Sequence, residues 1–182
     1  MKNLTNIANS HKCDKGDKWY EKHGYTHVYD KYVPERGECS LLEIGVWRGD
    51  SIRMWKEWNK ELQIDAIDID SNVLNYIQSE DGTNIYIGNA TDKVFLTETL
   101  KSMKYDFIID DGSHNMMDIL ISLRCLWKRV KPGGFYFIED LHASHARRSE
   151  LLVELIIFFG EDSSLKCCRI FCNDKLLVLE KL

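Results

Sequence analysis

From about residue 40 onward the hydrophobic pattern switches back and forth between two periods. The short apolar runs "SLLEIGV", "QIDAIDID", "NIYIG", "YDFIIDD" and "FYFIED" have the length and β-branched or aromatic content of buried strands. Between them, apolar residues recur every three to four positions: in "DSIRMWKEWNKE", in "SNVLNYIQSE", from about Asp92 to Ser102, in "MMDILISLRCLWKRV" and in "SELLVELIIFFG". These segments predict helices, the first capped by Asp50 or Ser51 and the fourth ended by "KPGG". "LKCCRIFC" and "KLLVLEKL" flank the pair Asn173-Asp174, a hairpin signal. Nearer the start, Tyr25, Val28, Tyr29 and Tyr32 predict a helix over His23 to Val33, stopped by Pro34 and Gly37. Residues up to about Lys22 read as irregular.

Strand–helix alternation implies an α/β, Rossmann-like fold: a mostly parallel sheet with helices on both faces and a C-terminal antiparallel hairpin on one edge. No linker, repeat or low-complexity segment interrupts it. The chain therefore reads as one domain over 1–182, with an N-terminal lead and helix over 1–37 and a core over 38–182. Ligands of such sheets bind beyond the carboxyl ends of the strands, near the point where strand order reverses. The residues immediately after each strand are the informative ones.

Composition narrows the function classes. A net charge of −5 argues weakly against a nucleic-acid partner, since phosphate binding wants a basic face. No apolar run reaches membrane-spanning length, "LLVELIIFF" being short and carrying Glu154. The polar start "MKNLTNIANSHKCDKGDK" reads as no secretory leader. The six cysteines show no C-x-x-C and no regular spacing, which favours reduced thiols in a cytoplasmic protein over disulfides or zinc.

At the first strand end, "LLEIGVWRGDS" sets Glu43, Gly45 and Gly49 in an E-x-G-x-x-x-G turn, where glycines let the backbone approach a ligand. The middle glycine of a dinucleotide loop is absent, and Glu43 suits a cationic ligand better than a pyrophosphate. Asp68, nineteen positions after Gly49, is placed to accept ribose hydroxyls, and "GNATD" to line a purine. Each of these alone also reads as a cap or turn. Three in order on one predicted sheet favour a cofactor cradle. Asp110 and Asp111 end the fourth strand, and Glu139 and Asp140 the fifth. If those strands are neighbours, about 4.8 Å apart, the carboxylates crowd one edge. A hard divalent cation is the economical neutraliser. Strand alternation leaves open which of Asp110 and Asp111 faces it. His114 follows Gly112, and an imidazole with an unperturbed pKa of about 6.5 fits a general base.

With these motifs on the page, the chain resembles the metal-dependent S-adenosylmethionine (SAM) sugar O-methyltransferases of antibiotic biosynthesis, the macrocin and mycinamicin group. The resemblance runs from "DKGDKWYEKHGYTHVYDKYV" to "KPGGFYFIEDLH", and "YDFIIDDGSH" and "FIEDLH" are its specific parts. It implies a class I methyltransferase fold with SAM and Mg²⁺ (or Mn²⁺) as cofactors. By motif, the ion falls to Asp111, Glu139 and Asp140, and the acceptor proton to His114. SAM falls to Glu43, Gly45, Gly49, Ser51, Asp68, Asn89, Asp92 and Asp110, with Lys15 and Tyr25 folding over it. Apart from the motif, His142 and His145 after the fifth strand read either as acceptor contacts or as solvated loop residues, and Arg147 and Arg148 either as surface charges or as partners of an anionic acceptor. The stripe Trp47, Trp55, Trp58 and Trp127 reads as core or interface.

The implied partner is a small-molecule hydroxyl acceptor, a sugar or nucleotide sugar, and the implied assembly a homo-oligomer. That family carries an extra N-terminal region and a long acceptor loop, where this chain has a short polar lead and "ASHARR". Two alternatives stand beside this reading: a catechol-type O-methyltransferase and a SAM-binding module without catalysis. An NAD-dependent dehydrogenase is the weakest, for want of the middle glycine.

Overall fold

Among the described residues seven strands join one sheet in the order β3-β2-β1-β4-β5-β7-β6. They are β1 (Cys39–Ile44), β2 (Leu62–Asp68), β3 (Thr83–Ile87), β4 (Tyr105–Asp110), β5 (Val130–Ile138), β6 (Leu165–Phe171) and β7 (Leu176–Lys181). The helices are α1 (Leu4–Ser10), α2 (Thr26–Tyr29), α3 (Asp50–Trp58), α4 (Lys93–Leu100), α5 (Met116–Leu126) and α6 (Arg148–Glu161). This computed structural model describes residues 2–77, 82–141 and 148–182, without the side chains of 148 and 149. The pairs β1–β2, β2–β3, β1–β4 and β4–β5 are parallel, and β7 runs antiparallel to both β5 and β6. The α/β architecture with a C-terminal hairpin is thus as the alternation predicts.

The pleat sends alternate residues to two cores. Leu41, Phe107, Ile109 and Phe137 pack toward α1, α2 and α3 with Tyr29 and Trp55; Leu42, Ile44, Ile108, Tyr136 and Ile138 pack toward α4, α5 and α6. Helical period and strand period agree here, which is why a single sequence satisfies both layers. Strand order reverses between β1 and β4, the two strands that follow each other in the middle of the sheet.

Several elements differ from the sequence expectation. Residues 4–10 are helical, not irregular: Leu4, Ile7 and Ala8 form a buried stripe, and the Asn3 side chain caps the start. The helix expected over His23 to Val33 contracts to the single turn of α2, followed by turns that keep Val33 N–H on the Tyr29 carbonyl at 2.8 Å. At α3 the cap is Gly49 at φ 72°, so Asp50 and Ser51 lie inside the helix. The helix expected in "SNVLNYIQSE" is a 3-10 turn over Ser71–Asn75, started by the Asp70 side chain, and residues 78–81 lie outside the described residues. β5 already begins at Val130, so "KPGG" is an irregularity within a strand where β4 pairing slips, from Tyr105↔Val130 to Phe107↔Phe135. The hairpin turn takes four residues, Cys172 to Lys175, with Cys172, Asn173 and Asp174 all at positive φ.

Candidate active site

A cavity of about 770 Å³ opens at the carboxyl ends of the parallel strands. Its size and its place at the strand-order reversal are those of a small-molecule site. Every strand-end loop contributes: Gly45 to Trp47 after β1, Asp68 to Asp70 after β2, Gly88 to Thr91 after β3, Asp111 to His114 after β4 and Asp140 after β5.

The loop after β1 is held from below and beside. Gly45 has φ 87°, and a Cβ there would meet the Asp111 carbonyl oxygen at 2.0 Å, so only glycine lets β1 and β4 end this close together. Asp68 uses one carboxylate oxygen to accept from the Val46 and Trp47 amides, at 2.7 and 3.1 Å, and the other to accept from Asp70 N–H at 2.9 Å. Its visible role is to clamp the glycine loop. Trp47 has φ 48°, a region costly for a bulky residue, and its indole is 51% exposed at the cavity rim. Tyr20 meets that ring edge-on at 5.1 Å, and the Arg48 guanidinium lies 4.6 Å over it. Trp55, Trp58 and Trp127 are core, but Trp47 is not.

Alternation decides between the two aspartates of β4. Asp110 turns to the α5 face, accepting from Ser122 Oγ at 2.5 Å and Tyr136 OH at 3.1 Å, and burial pushes its carboxyl up to about 6 against those hydrogen bonds. Asp111 turns to the opposite face. So do Glu43 and Glu139, in the same parity as Leu41, Ile109 and Phe137. Three acids on adjacent strands thus converge on one point.

An ammonium occupies it. Lys15 Nζ lies 2.5 Å from Asp111 Oδ2, 2.8 Å from Glu139 Oε2 and 3.6 Å from Glu43 Oε1, with the lysine only 1% exposed. Burial alone would lower this lysine's pKa, but the surrounding carboxylates outweigh it and hold the pKa well above its ordinary value. Glu43, fully buried, is pushed up to about 7 by desolvation, with Lys15 opposing. Burial likewise raises Glu139, and the neighbouring Asp111 adds to it. The second Glu139 oxygen accepts from Tyr29 OH.

Asp140 faces the cavity, in the left-handed region at φ 53°. Tyr25 OH donates to its Oδ1 at 2.6 Å, His23 Nε2 lies 3.6 Å from the same oxygen, and His114 Nε2 lies 3.6 Å from Oδ2. Burial works against the charged form, yet the Tyr25 hydrogen bond and both imidazoles keep this carboxyl below its ordinary range. One ligand atom each from Asp111, His114 and Asp140 fall within 4.8 Å of one another. Three carboxylates, Glu43, Asp111 and Glu139, face one ammonium, and Asp140 stands beside them at the cavity. The oxygen-rich donor set fits a hard divalent ion.

The other sequence candidates divide between the cavity wall and positions behind it, and neither Gly49 nor Glu139 is part of the wall. Ser51 and Asn89 line the cavity. Asp92 instead caps α4, accepting from Val94 and Phe95 amides at 2.8 and 3.2 Å, and is not among the cavity-lining residues. Glu43 lies beneath the cavity rather than in its wall, with the chain's own Lys15 as the cation it faces. His142, His145 and Arg147 lie outside the described residues, as does the Arg148 side chain. Sequence reasoning missed that Lys15 and Tyr25 reach the acids; the signal was the pair itself, buried-type positions in a polar lead.

Comparison with known proteins adds three findings. A family model described as "Methyltransferase domain" matches residues 42–141, more than half of the chain. Demethylmacrocin O-methyltransferase of Streptomyces fradiae is 33% identical over 138 residues, 70% of this chain and 34% of that protein. The 8-demethyl-8-alpha-L-rhamnosyl tetracenomycin-C 2'-O-methyltransferase of Streptomyces olivaceus is 30% identical over 139 residues, 71% of this chain and 36% of that one. Among solved structures, MycE methyltransferase from the mycinamycin biosynthetic pathway, in complex with Mg and SAH, superposes with a TM-score of 0.79 at 25% identity, covering 99% of this chain and 55% of that one. The chain spans about a third of the length of the curated relatives it matches.

Proposed function

This chain belongs to the methyltransferase domain family, and from that premise we propose that it transfers the methyl group of SAM to a hydroxyl of a sugar-bearing small molecule, with a divalent ion at the acid cluster. The observation that carries the reading is the placement of Asp111, Asp140 and His114 within 4.8 Å of one another on the same cavity as the glycine loop. A methyl donor cradled at the β1 and β2 ends and an acceptor at the β4 and β5 ends share one enclosed space. Holding both in attack geometry supplies much of the rate.

The residues divide the work. The loop of Gly45 to Trp47, clamped by Asp68, forms the cofactor wall, and Ser51 and Asn89 complete it. Asp111, Glu139 and Asp140 would hold the ion, and its Lewis acidity would make a nearby hydroxyl easier to deprotonate. His114 takes the acceptor proton. Asp140, 3.6 Å from its Nε2, stabilises the imidazolium that results. The relatives' names speak of macrocin and of a rhamnosyl group, which favours a sugar hydroxyl over a catechol as acceptor.

The test uses radiolabelled SAM with the full chain, presented in parallel with methyl α-L-rhamnopyranoside, rhamnosylated polyketides and simple catechols, with Mn²⁺ and with EDTA. Transfer to a glycoside that EDTA abolishes supports the proposal. Transfer to catechols alone assigns the aromatic alternative, and SAM binding without transfer to any acceptor overturns the enzymatic reading. His114→Ala is expected to retain SAH binding and Mn²⁺ uptake while turnover falls by about 10²-fold or more.

A further inference from the structure

The acids at the β4 and β5 ends take their partners from one short stretch of chain. Asp111 and Glu139 are held by Lys15, Glu139 also by Tyr29, and Asp140 by Tyr25 and His23. That stretch is also closed on itself: Gly24 N–H bonds the Gly16 carbonyl at 2.7 Å, His23 N–H the Asp14 carbonyl at 3.2 Å and Thr26 N–H the Lys15 carbonyl at 3.0 Å. A lysine tip sealed to 1% exposure does not withdraw unless this loop shifts with it.

The distances set up a conflict. A Mg²⁺ bound to Asp111 Oδ2 and Glu139 Oε2 sits about 2.0–2.1 Å from each oxygen. Lys15 Nζ already lies 2.5 and 2.8 Å from those same two atoms. Two cations do not fit in that space, and in a low-dielectric interior their repulsion is severe. We propose that Lys15 is a built-in stand-in cation: its ammonium and the divalent ion are alternative occupants of the Asp111–Glu139 seat, and ion entry expels Lys15 and loosens the loop over residues 13–26. This rests on the metal reading above and adds to it a coupling between ion uptake and the N-terminal segment. The seated lysine counters the charge of the acid cluster when no ion is bound, and Tyr20 of the loop it anchors meets Trp47 of the cavity wall edge-on. Each occupant reduces the apparent affinity of the other, because only the fraction of molecules with the seat vacant is competent to bind.

The experiment titrates the wild-type chain and Lys15→Met with Mn²⁺ alone, by calorimetry, and follows amide hydrogen exchange with and without the ion. The expected result is faster exchange over residues 13–26 of the wild type on Mn²⁺ binding. Lys15→Met should bind Mn²⁺ roughly tenfold tighter or more, with that segment already exchanging fast. The exchange arm needs no variant, so it decides the matter even if Lys15→Met does not fold. Mn²⁺ uptake by the wild type with unchanged or slower exchange over this segment overturns the proposal and leaves the metal site standing, with the ion beside a seated lysine. Uptake by Lys15→Met alone supports it, the lysine then winning outright. Uptake by neither removes the metal site itself, and the exclusion with it.

Discussion

Gly45→Ala puts the close approach between the β1 and β4 ends under load. The added Cβ would lie 2.0 Å from the carbonyl oxygen and 2.7 Å from the carbonyl carbon of Asp111. Neither atom belongs to a flexible side chain, so the β4 loop itself has to retreat by more than an ångström. Placing an L-residue at φ 87° costs about 1 kcal/mol. Forcing the loop back adds about 1–3 kcal/mol, the usual range for overpacking. The sum is about 3 kcal/mol, and at about 2–4 °C per kcal/mol for a chain of this size the melting midpoint should fall by roughly 10 °C. Gly49→Ala is the internal comparison. There the Cβ meets Ile77 side-chain atoms at 2.3 and 2.6 Å rather than backbone, so the loss should be smaller. Calorimetry gives the midpoints, and Mn²⁺ titration well below them tests the site, since displacing Asp111 also displaces its carboxylate. If Gly45→Ala melts within about 2 °C of the wild type, the contact between these loops is not what holds β1 and β4 together at the site.

Three further outcomes follow from the same geometry. Asp110 is held near 6, above the ordinary carboxylate range, so its contribution to stability is present in acid and is lost as pH rises from about 4 through about 6; Asp110→Asn should lack that slope and gain up to about 3 kcal/mol on the wild type between pH 4 and pH 8 in urea unfolding. An unchanged pH profile contradicts the burial argument. Tyr25→Phe removes the donor to Asp140 Oδ1 and should cost about 1–3 kcal/mol in the same assay, as for a hydrogen bond to a charged group. Asp68→Ala frees two loop amides and should weaken SAH binding about tenfold or more, with Asp68→Asn milder because it keeps an acceptor; equal SAH affinity in all three would show that the clamp is dispensable.

Element type was legible wherever period and flanking residues agreed. The five apolar runs became parallel strands, buried between helices in β1, β4 and β5 and only partly buried in β3 at the sheet edge. The failures have local causes. At Leu4, Ile7 and Ala8 the apolar stripe is a single helical turn in a polar lead, too short to stand out from its surroundings, and its stability comes from packing on α3. In "SNVLNYIQSE" the periodicity is genuine, but only Val73 of the Ser71–Asn75 turn is buried, so little apolar surface anchors a longer helix. "KPGG" carries the strongest breaker residues in the chain, and they mark a slip inside a strand pair rather than a loop.

The candidate site shows the same division between what alternation decides and what only long-range packing decides. That Asp110 and Asp111 face opposite ways follows from the pleat alone; which way each points depends on the β1–β4 register, Ile44 opposite Asp110, and no pattern within one strand contains it. Once the register is known, Glu43, Asp111 and Glu139 fall on one face without further assumption. A cluster of that kind has to find a counter-charge or protons within the fold, because unpaired buried carboxylates are costly. Lys15 answers that requirement from 96 residues away along the chain. Tyr25, Tyr29 and His23 are buried with it, and all three reach the acids at the same sheet edge.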